Sequence, residues 1–587
     1  LKDAAPREWI LHSPDPDVVR ELSARHGLAP AVSKVLVNRG IVAPGDVERF
    51  LGGTISDLPD PSLLKDVEKA ARRLAAAGSR GEPLLIYADY DADGATGAAC
   101  LYLFLKRVFP DLPVRIHQND RRKDGYGPQT HVLAPAAREG FRLVVTVDCG
   151  ISDVEAVREA ARGGVDVIVT DHHLPGETVP EAFAVVNPMQ TDCAFPGKEM
   201  AGVGVAFLLV CALRKALRES GGFADRPEPP LRPYLDLVAL GTVADMAALR
   251  GGNRLLVREG LREIRKSPCP GIDALFEVSG VPHAAATETD LGFRVGPRLN
   301  AAGRVGDATR SSRLLVSESR EDAMHLARAL NEDNALRQRE EERIVVAVES
   351  ALAAAGEIPP AIVLSNPAWN AGVLGIVASK VLERYGRPVV LLQEEGGEAK
   401  GSCRSIEGFH IVSALSRLSH MLTRYGGHAQ AAGLALSLDR LDAFREGLSG
   451  IAALHALETP FVRRRSIDAR LRVDEITPDL MSDLDRLRPF GVGNEEPLFL
   501  LPNVRIATVS RIGAGGRHIR FTVEEDGRRF SGVAFRRVEI PVSSSGRSDL
   551  LIAVQENIYR GARSLQLLLK DARAAGESVL CGGTPPG

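Results

Sequence analysis

At 587 residues the chain is longer than one hydrophobic core supports, and at roughly 100 to 200 residues per domain it should form about three to five units. With 44% hydrophobic and 25% charged residues it has the make-up of folded globular protein, which excludes a disordered chain, while a formal charge of −3 averages over the modules and excludes no class of partner. It has no uninterrupted apolar run of about eighteen residues and no basic-then-apolar leader, and its seven cysteines never form a C-x-x-C pair, so a reducing, cytoplasmic setting with no membrane association is expected.

Residues 1–61 read as a short helical or irregular lead-in, punctuated by turn signals at Ser13-Pro14-Asp15-Pro16 and Leu58-Pro59-Asp60-Pro61. From 62 to 312 short apolar, β-branched runs (PLLIYA, FRLVVTVD, VDVIVTD) alternate with amphipathic helical stretches, the pattern of βαβ units and a parallel sheet. Residues 313–355 keep helical periodicity without proline and predict a long connecting helix. A second α/β domain follows over 356–457, with the runs AIVLS and PVVLLQ around the helix GVLGIVASKVLERY. Over 460–575 the pattern changes to short strands with glycine-rich turns, an OB-like β-barrel by length and spacing, and 576–587 is a tail. This barrel region is basic, with thirteen Lys/Arg against seven Asp/Glu from Leu501 to Arg573, all but Lys570 being arginine, which suits a surface that tracks phosphates. The expected fold is therefore α/β multidomain: a parallel-sheet catalytic domain, a connecting helix, a second α/β domain and a C-terminal OB-like barrel.

The chemistry sits where parallel sheets place it, just beyond the strand ends. Asp89, Asp91 and Asp93 (YADYDADG) follow the run PLLIYA and precede a helix. A calcium loop opens with the same D-x-D-x-D-G, but its twelfth position here is Cys100 instead of glutamate, and a strand stands where a helix is needed. Asp148 (TVDCG) and Asp171-His172-His173 (TDHH) follow two more strands, and Asp245 (GTVADM) ends another apolar run. Convergence of these motifs on one sheet edge brings Asp89, Asp91, Asp93, Asp148 and Asp245 to His172 and His173, the inventory of a dinuclear site with a bridging carboxylate and open positions for water and substrate. Oxygen-rich ligation with an imidazole favours two divalent ions, Mn²⁺ or Mg²⁺. Such a centre hydrolyses a phosphodiester by in-line displacement without a covalent intermediate.

In order and spacing, DYDADG, TVDCG, TDHH and GTVADM resemble the four motifs of the DHH phosphoesterase superfamily, and three further segments resemble its RecJ family: GPRLNAAGRVGDA (296–308), GFH with GGHAQAAG (408–433) and LRPFGVGNEEPLF (487–499). The resemblance implies that Asp89, Asp91, Asp93, Asp148, His172 and Asp245 are metal ligands, with His173 on the scissile phosphate or a water. It implies that Arg298, Asn300 and Arg304 face nucleic acid, and that Ser402, Arg404, Gly426, Gly427 and His428, in a DHH-associated domain, hold the terminal phosphate through a glycine-rich turn and a bidentate arginine. Trp369 has two readings, a base-stacking face or, with a helix following, a core residue. The implied activity is 5′ to 3′ digestion of single-stranded DNA to nucleoside monophosphates in recombination and repair, with a single-strand-binding protein and a RecQ-type helicase as partners and a monomeric enzyme. One departure stands out: the family commonly has Trp-His where this chain has Trp369-Asn370, which removes a potential cation.

If the connecting helix holds the two α/β domains apart, the groove between them can admit one strand and exclude a duplex, with the barrel guiding the strand by phosphate contacts and stacking on Phe490, Phe521, Phe535 or Tyr559. The competing readings are a small-substrate DHH enzyme (an oligoribonuclease, or a cyclic-dinucleotide or pyrophosphate hydrolase) and a catalytically silent DNA-binding scaffold. The barrel argues against the first, and the intact set of carboxylates against the second.

Overall fold

The run Leu84–Ala88 offers water no polar face, and in the computed structural model, which describes residues 7–121, 123–559, 562–576 and 579–582, it is a strand buried along its whole length. Leu143–Val147 and Asp166–Thr170 are of the same β-branched kind. The three strands lie side by side in a five-stranded, all-parallel sheet, with Val114–Gln118 beyond the first and Ala184–Val186 beyond the last. Parallel strands require crossovers, and these cover both faces. Leu84, Ile86, Val145 and Ile168 pack on one face under Phe104, Leu208 and Val238 from the helices Ala92–Val108, Gly202–Glu219 and Leu235–Ala244. Leu85, Tyr87, Val144 and Val167 pack on the other with Leu133 and Val157. In chain order the strands run second, first, third, fourth, fifth, so the winding reverses between Leu84–Ala88 and Leu143–Val147. In open parallel sheets a ligand crevice opens at that reversal.

The described residues divide into two compact units. The first spans Thr54–Thr459 with Pro489–Asn494. Within it, the short helix Thr309–Leu315 is followed by a break and then by the connecting helix Arg320–Ala355, whose N-cap Ser319 accepts from the Asp322 N–H. Its buried Glu341 pairs with Arg337 and, at 2.5 Å, with Lys380 of the helix Ala371–Tyr385. That helix lies on a second, mixed sheet ordered Arg424–Gly427, Ala431–Ser437, Glu398–Arg404, Val389–Glu395, Ile362–Asn366, in which only the last two strands run parallel.

The second unit contains the described residues up to Gly53, Pro460–Arg488 and those from Glu495 onward. Its strand Phe499–Ile512 pairs with both His518–Glu525 and Arg547–Tyr559, while Arg528–Ala534 and Ala562–Ala574 complete a closed five-stranded barrel. Phe499, Leu501, Phe521, Val523 and Ile552 fill its interior. Phe521 is therefore core and offers no stacking face, whereas Phe535 is exposed. Phe490 belongs to the first unit, where its N–H donates to Glu288, and the Tyr559 side chain lies outside the described residues.

The expected lead-in is a working part of this unit. Strand Arg7–His12 pairs in parallel with Arg463–Ile467 on one side and Leu580–Gly582 on the other, and three helices follow, each with proline in its first turn. Trp9 donates to Asp571 and lies under the Arg573 guanidinium. Among the described residues no helix is long and apolar enough to cross a membrane.

Candidate metal centre

Asp89, Asp148 and Asp171 each stand one residue past a parallel strand, and their N–H groups extend the ladder to Val147, Thr170 and Val186. Asp89 and Asp148 flank the point where the winding reverses. Asp148 then turns the chain sharply, with φ +62°. Asp91 is the N-cap of Ala92–Val108, accepting from the N–H groups of Asp93 and Gly94. Asp93, in the first turn, accepts from the Gly202 N–H at 2.7 Å and the Val203 N–H at 2.8 Å, the positive end of Gly202–Glu219. Asp245 caps the C-terminus of Leu235–Ala244; the apolar run before it is a helix, whose negative end disfavours a carboxylate unless a cation lies near.

These elements bring the expected ligands together. His172 Nε2 lies 3.1 Å from Asp148 Oδ1, 3.9 Å from Asp93 Oδ2 and 4.0 Å from Asp245 Oδ2. Ligand atoms fall within 4.8 Å of one another in three overlapping groups: Asp89, Asp91 and Asp148; Asp93, His172 and Asp245; Asp148, His172 and His173. Asp148 Oδ1 and His172 Nε2 are both buried and both without a hydrogen-bond partner. Leaving such atoms unsatisfied costs about 1–3 kcal/mol each. Burial, then neighbouring carboxylates, push Asp89, Asp93 and Asp148 above the usual carboxylate range and Asp245 to about 6. Burial holds His172 at about 4, so its imidazole is neutral with a lone pair to give. Divalent cations among these oxygens and this nitrogen would satisfy the orphaned atoms and relieve the repulsion, so the residues fit a dinuclear centre.

Close packing fixes the cluster. A Cβ on Gly94 would come within 2.5 Å of the Asp89 carbonyl, one on Gly202 within 2.7 Å of Asp148 Oδ1, and one on Gly241 would collide with Thr96 Oγ1 and lie 3.1 Å from Asp93 Oδ1. Two further residues escaped the sequence reading as site members. Asp171 is fully buried and accepts from the N–H groups of Ile151, His172 and His173 and from His173 Nδ1 at 2.8 Å; its signal was its place at a strand end before the histidines. Tyr126 bonds His173 Nδ1 and donates to the Asp148 carbonyl, and no spacing pointed to it. Burial opposes a charge on His173, yet Asp171 outweighs it and raises the imidazole to about 9. With Nδ1 engaged, Nε2 is the nitrogen left for an anionic substrate.

The expected nucleic-acid residues separate. Arg304 is largely buried, donates to the Gly372 carbonyl and is lowered to about 10 by burial and then by Arg121. Arg404 is also lowered by burial, with Arg121 contributing, and lies near Ser402 against Gly375, where a Cβ would be 2.8 Å from its Nη2. Arg121, Arg304 and Arg404 thus make an anion-attracting cluster in the first unit, of which Arg121 was not anticipated. Gly426 and Gly427, expected in a turn, instead end the strand Arg424–Gly427 paired with Ala431–Ser437, the strand beside Ser402 and Arg404, and His428 follows them; all three are exposed. Gly427 has φ +141° and presses against Ala431 and Ala432, so no side chain fits there. Arg298 is half-buried and bonded to Asn331 and the Arg294 carbonyl. Asn300 Oδ1 accepts from the Ala92 N–H at 2.8 Å, so it braces the helix that carries Asp93. Trp369 is only 5% exposed and offers no face to a base, so of its two readings the core one holds and the stacking one does not. Asn370 caps Ala371–Tyr385 through the Gly372 N–H, a task that accounts for asparagine at this position.

Comparison with known proteins agrees with this layout. The chain matches the DHH family N-terminal domain over 83–242, the DHHA1 domain over 359–453 and the RecJ OB domain over 467–571. It is 39% identical to the single-stranded-DNA-specific exonuclease RecJ of Dickeya dadantii over 559 residues, 92% of this chain and 96% of the relative. The crystal structure of RecJ in complex with Mn²⁺ from Thermus thermophilus superposes with a TM-score of 0.83 at 33% identity, covering 99% of this chain and 81% of that one. The Mg²⁺ complex of RecJ from the same organism gives 0.77 at 31% identity, covering 98% and 79%.

Proposed function

The chain belongs to the RecJ family of DHH phosphoesterases, and from that premise we propose that it digests single-stranded DNA in the 5′ to 3′ direction to nucleoside 5′-monophosphates, in DNA recombination and repair. It is a metal-dependent exonuclease for single strands, as its relatives are named. The observation that carries the two-metal reading is the pair of buried, unpartnered atoms, Asp148 Oδ1 and His172 Nε2, facing each other at 3.1 Å amid four more carboxylates.

Asp89, Asp91, Asp93, Asp148, His172 and Asp245 would hold two divalent ions, Mn²⁺ or Mg²⁺. When bound, the ions polarise the phosphodiester and lower the pKa of an attacking water. The protein does the rest. Gly202 and Val203 N–H groups fix the Asp93 carboxylate, and Asp171 and Tyr126 fix His173 so that its cationic ring meets the scissile phosphate as charge builds there. Arg404, with Ser402, Arg121 and Arg304, receives the terminal 5′ phosphate, which sets the direction of digestion. The Gly426–Gly427 backbone lets that phosphate approach closely, with His428 beside it, and Arg298 and Asn300 face the nucleic acid. A cytoplasmic monomer working with a single-strand-binding protein and a RecQ-type helicase completes the proposal.

The test is digestion of matched single-stranded DNA, duplex DNA and RNA, labelled at either end, with Mn²⁺ and with chelator. Metal-dependent release of mononucleotides from the 5′ end of single-stranded DNA is expected. Cleavage confined to very short oligonucleotides would move the chain to the small-substrate DHH enzymes, and binding without cleavage to a scaffold.

A further inference from the structure

We propose that Phe293 is a specificity-determining residue that stacks on a base of the bound single strand at the rim of the metal centre, a role that rests on the single-strand reading above. Leu291–Val295 forms a π-helix directly ahead of Gly296–Val305. Such wide turns are rare and are found mostly at functional sites. Here Leu291 and Val295 are buried while Phe293, at the centre of the turn, is 81% exposed. The turn lies on the last turn of the helix that ends in Asp245: a Cβ on Gly292 would be 3.4 Å from Val243 Cγ1, and one on Gly296 would be 3.0 Å from Ala244 Cβ. Met246, the residue after Asp245, is also 70% exposed and held at φ +63°. Two large apolar side chains therefore stand in water on adjoining elements beside the carboxylate cluster, and Phe293 serves no core.

The surroundings specify what covers Phe293. The arginine cluster of Arg121, Arg304 and Arg404 attracts phosphate, and Phe293 and Met246 carry no charge to hold one. A strand whose phosphates are drawn to the arginines leaves its bases to find other partners, and a base presents an uncharged π-face that stacks on phenylalanine whatever its identity. Phe293 would hold the reacting nucleotides in register with the carboxylate cluster and discriminate against a duplex, in which every base behind the terminal pair already has both faces stacked.

The experiment compares wild type, Phe293→Ala and Phe293→Tyr on a 5′-phosphorylated single strand and on the same strand made abasic at its terminal nucleotides. On the native strand Phe293→Ala should lose roughly ten- to hundredfold in kcat/KM, carried by KM, while Phe293→Tyr stays within about threefold of wild type. On the abasic strand wild type should fall towards Phe293→Ala, and the substitution should add no more than about twofold to that loss. Equal losses on the two strands, a loss confined to kcat, or no loss would overturn the proposal. Wild-type cleavage of the native strand is scored separately and tests the single-strand reading itself. Because Phe293 is exposed, Phe293→Ala should melt with wild type, which separates lost stacking from lost fold.

Discussion

Asp148 carries two demands that oppose each other: it is the carboxylate the metals need most and the one the metal-free fold tolerates least. Asp148→Asn should abolish Mn²⁺-dependent nuclease activity by about a thousandfold or more, yet raise the melting temperature of the chelated protein by a few degrees, since it removes a buried charge from among like charges. A mutant melting below wild type in chelator would contradict this account. Gly202→Ala tests the packing around it: the new Cβ presses on Asp148 Oδ1, so Mn²⁺ should bind roughly tenfold or more weakly in a titration followed by activity, with the overall fold retained. Arg404→Ala should raise KM for a 5′-phosphorylated strand roughly tenfold or more, the worth of a charge-assisted hydrogen bond, and narrow the gap to a 5′-hydroxyl strand. The six proposed ligands were legible because each is a carboxylate or imidazole just after an apolar run, and a charge in that setting needs a reason. Asp171, Tyr126 and Gly202 were harder to see, because their importance lies in which atom they touch across the fold.

Elements were legible in proportion to how local their signal is. The runs Leu84–Ala88, Leu143–Val147 and Asp166–Thr170 carry their burial in composition, whereas Val114–Gln118 mixes exposed and buried positions and Ala184–Val186 is too short to show a period. The connecting helix was expected from 313, but the chain breaks after Leu315 and restarts at Arg320 under the Ser319 cap. Asn370 shows the limit of motif comparison: the departure from histidine is a loss of charge in sequence and a helix cap in structure. Asn370→Ala should cost about 1 kcal/mol of stability in a denaturant melt. Glu341→Ala has a larger target, since it leaves Arg337 and Lys380 without their shared carboxylate, and about 1–3 kcal/mol of stability should be lost.

At the scale of the molecule, metal binding should stabilise one unit and not the other. The ligands all belong to the first unit, so Mn²⁺ at about a hundred times its dissociation constant should add roughly 2.7 kcal/mol there and shift that unit's melting transition alone. A calorimetric scan in which both transitions move equally would contradict this. The barrel was legible from its regular short strands, but the membership of the N-terminus was not: strand Arg7–His12 finds its partners at Arg463–Ile467 and Leu580–Gly582, and no local pattern records a pairing so distant in sequence. That pairing also has a consequence in time. A ribosome adding roughly 5–20 residues per second delivers His12 and only roughly 20–90 seconds later Arg463. Until then strand Arg7–His12 has two unpaired edges, so it is among the last strands to be completed although it is made long before its partners, and newly made protein must shelter it in the meantime.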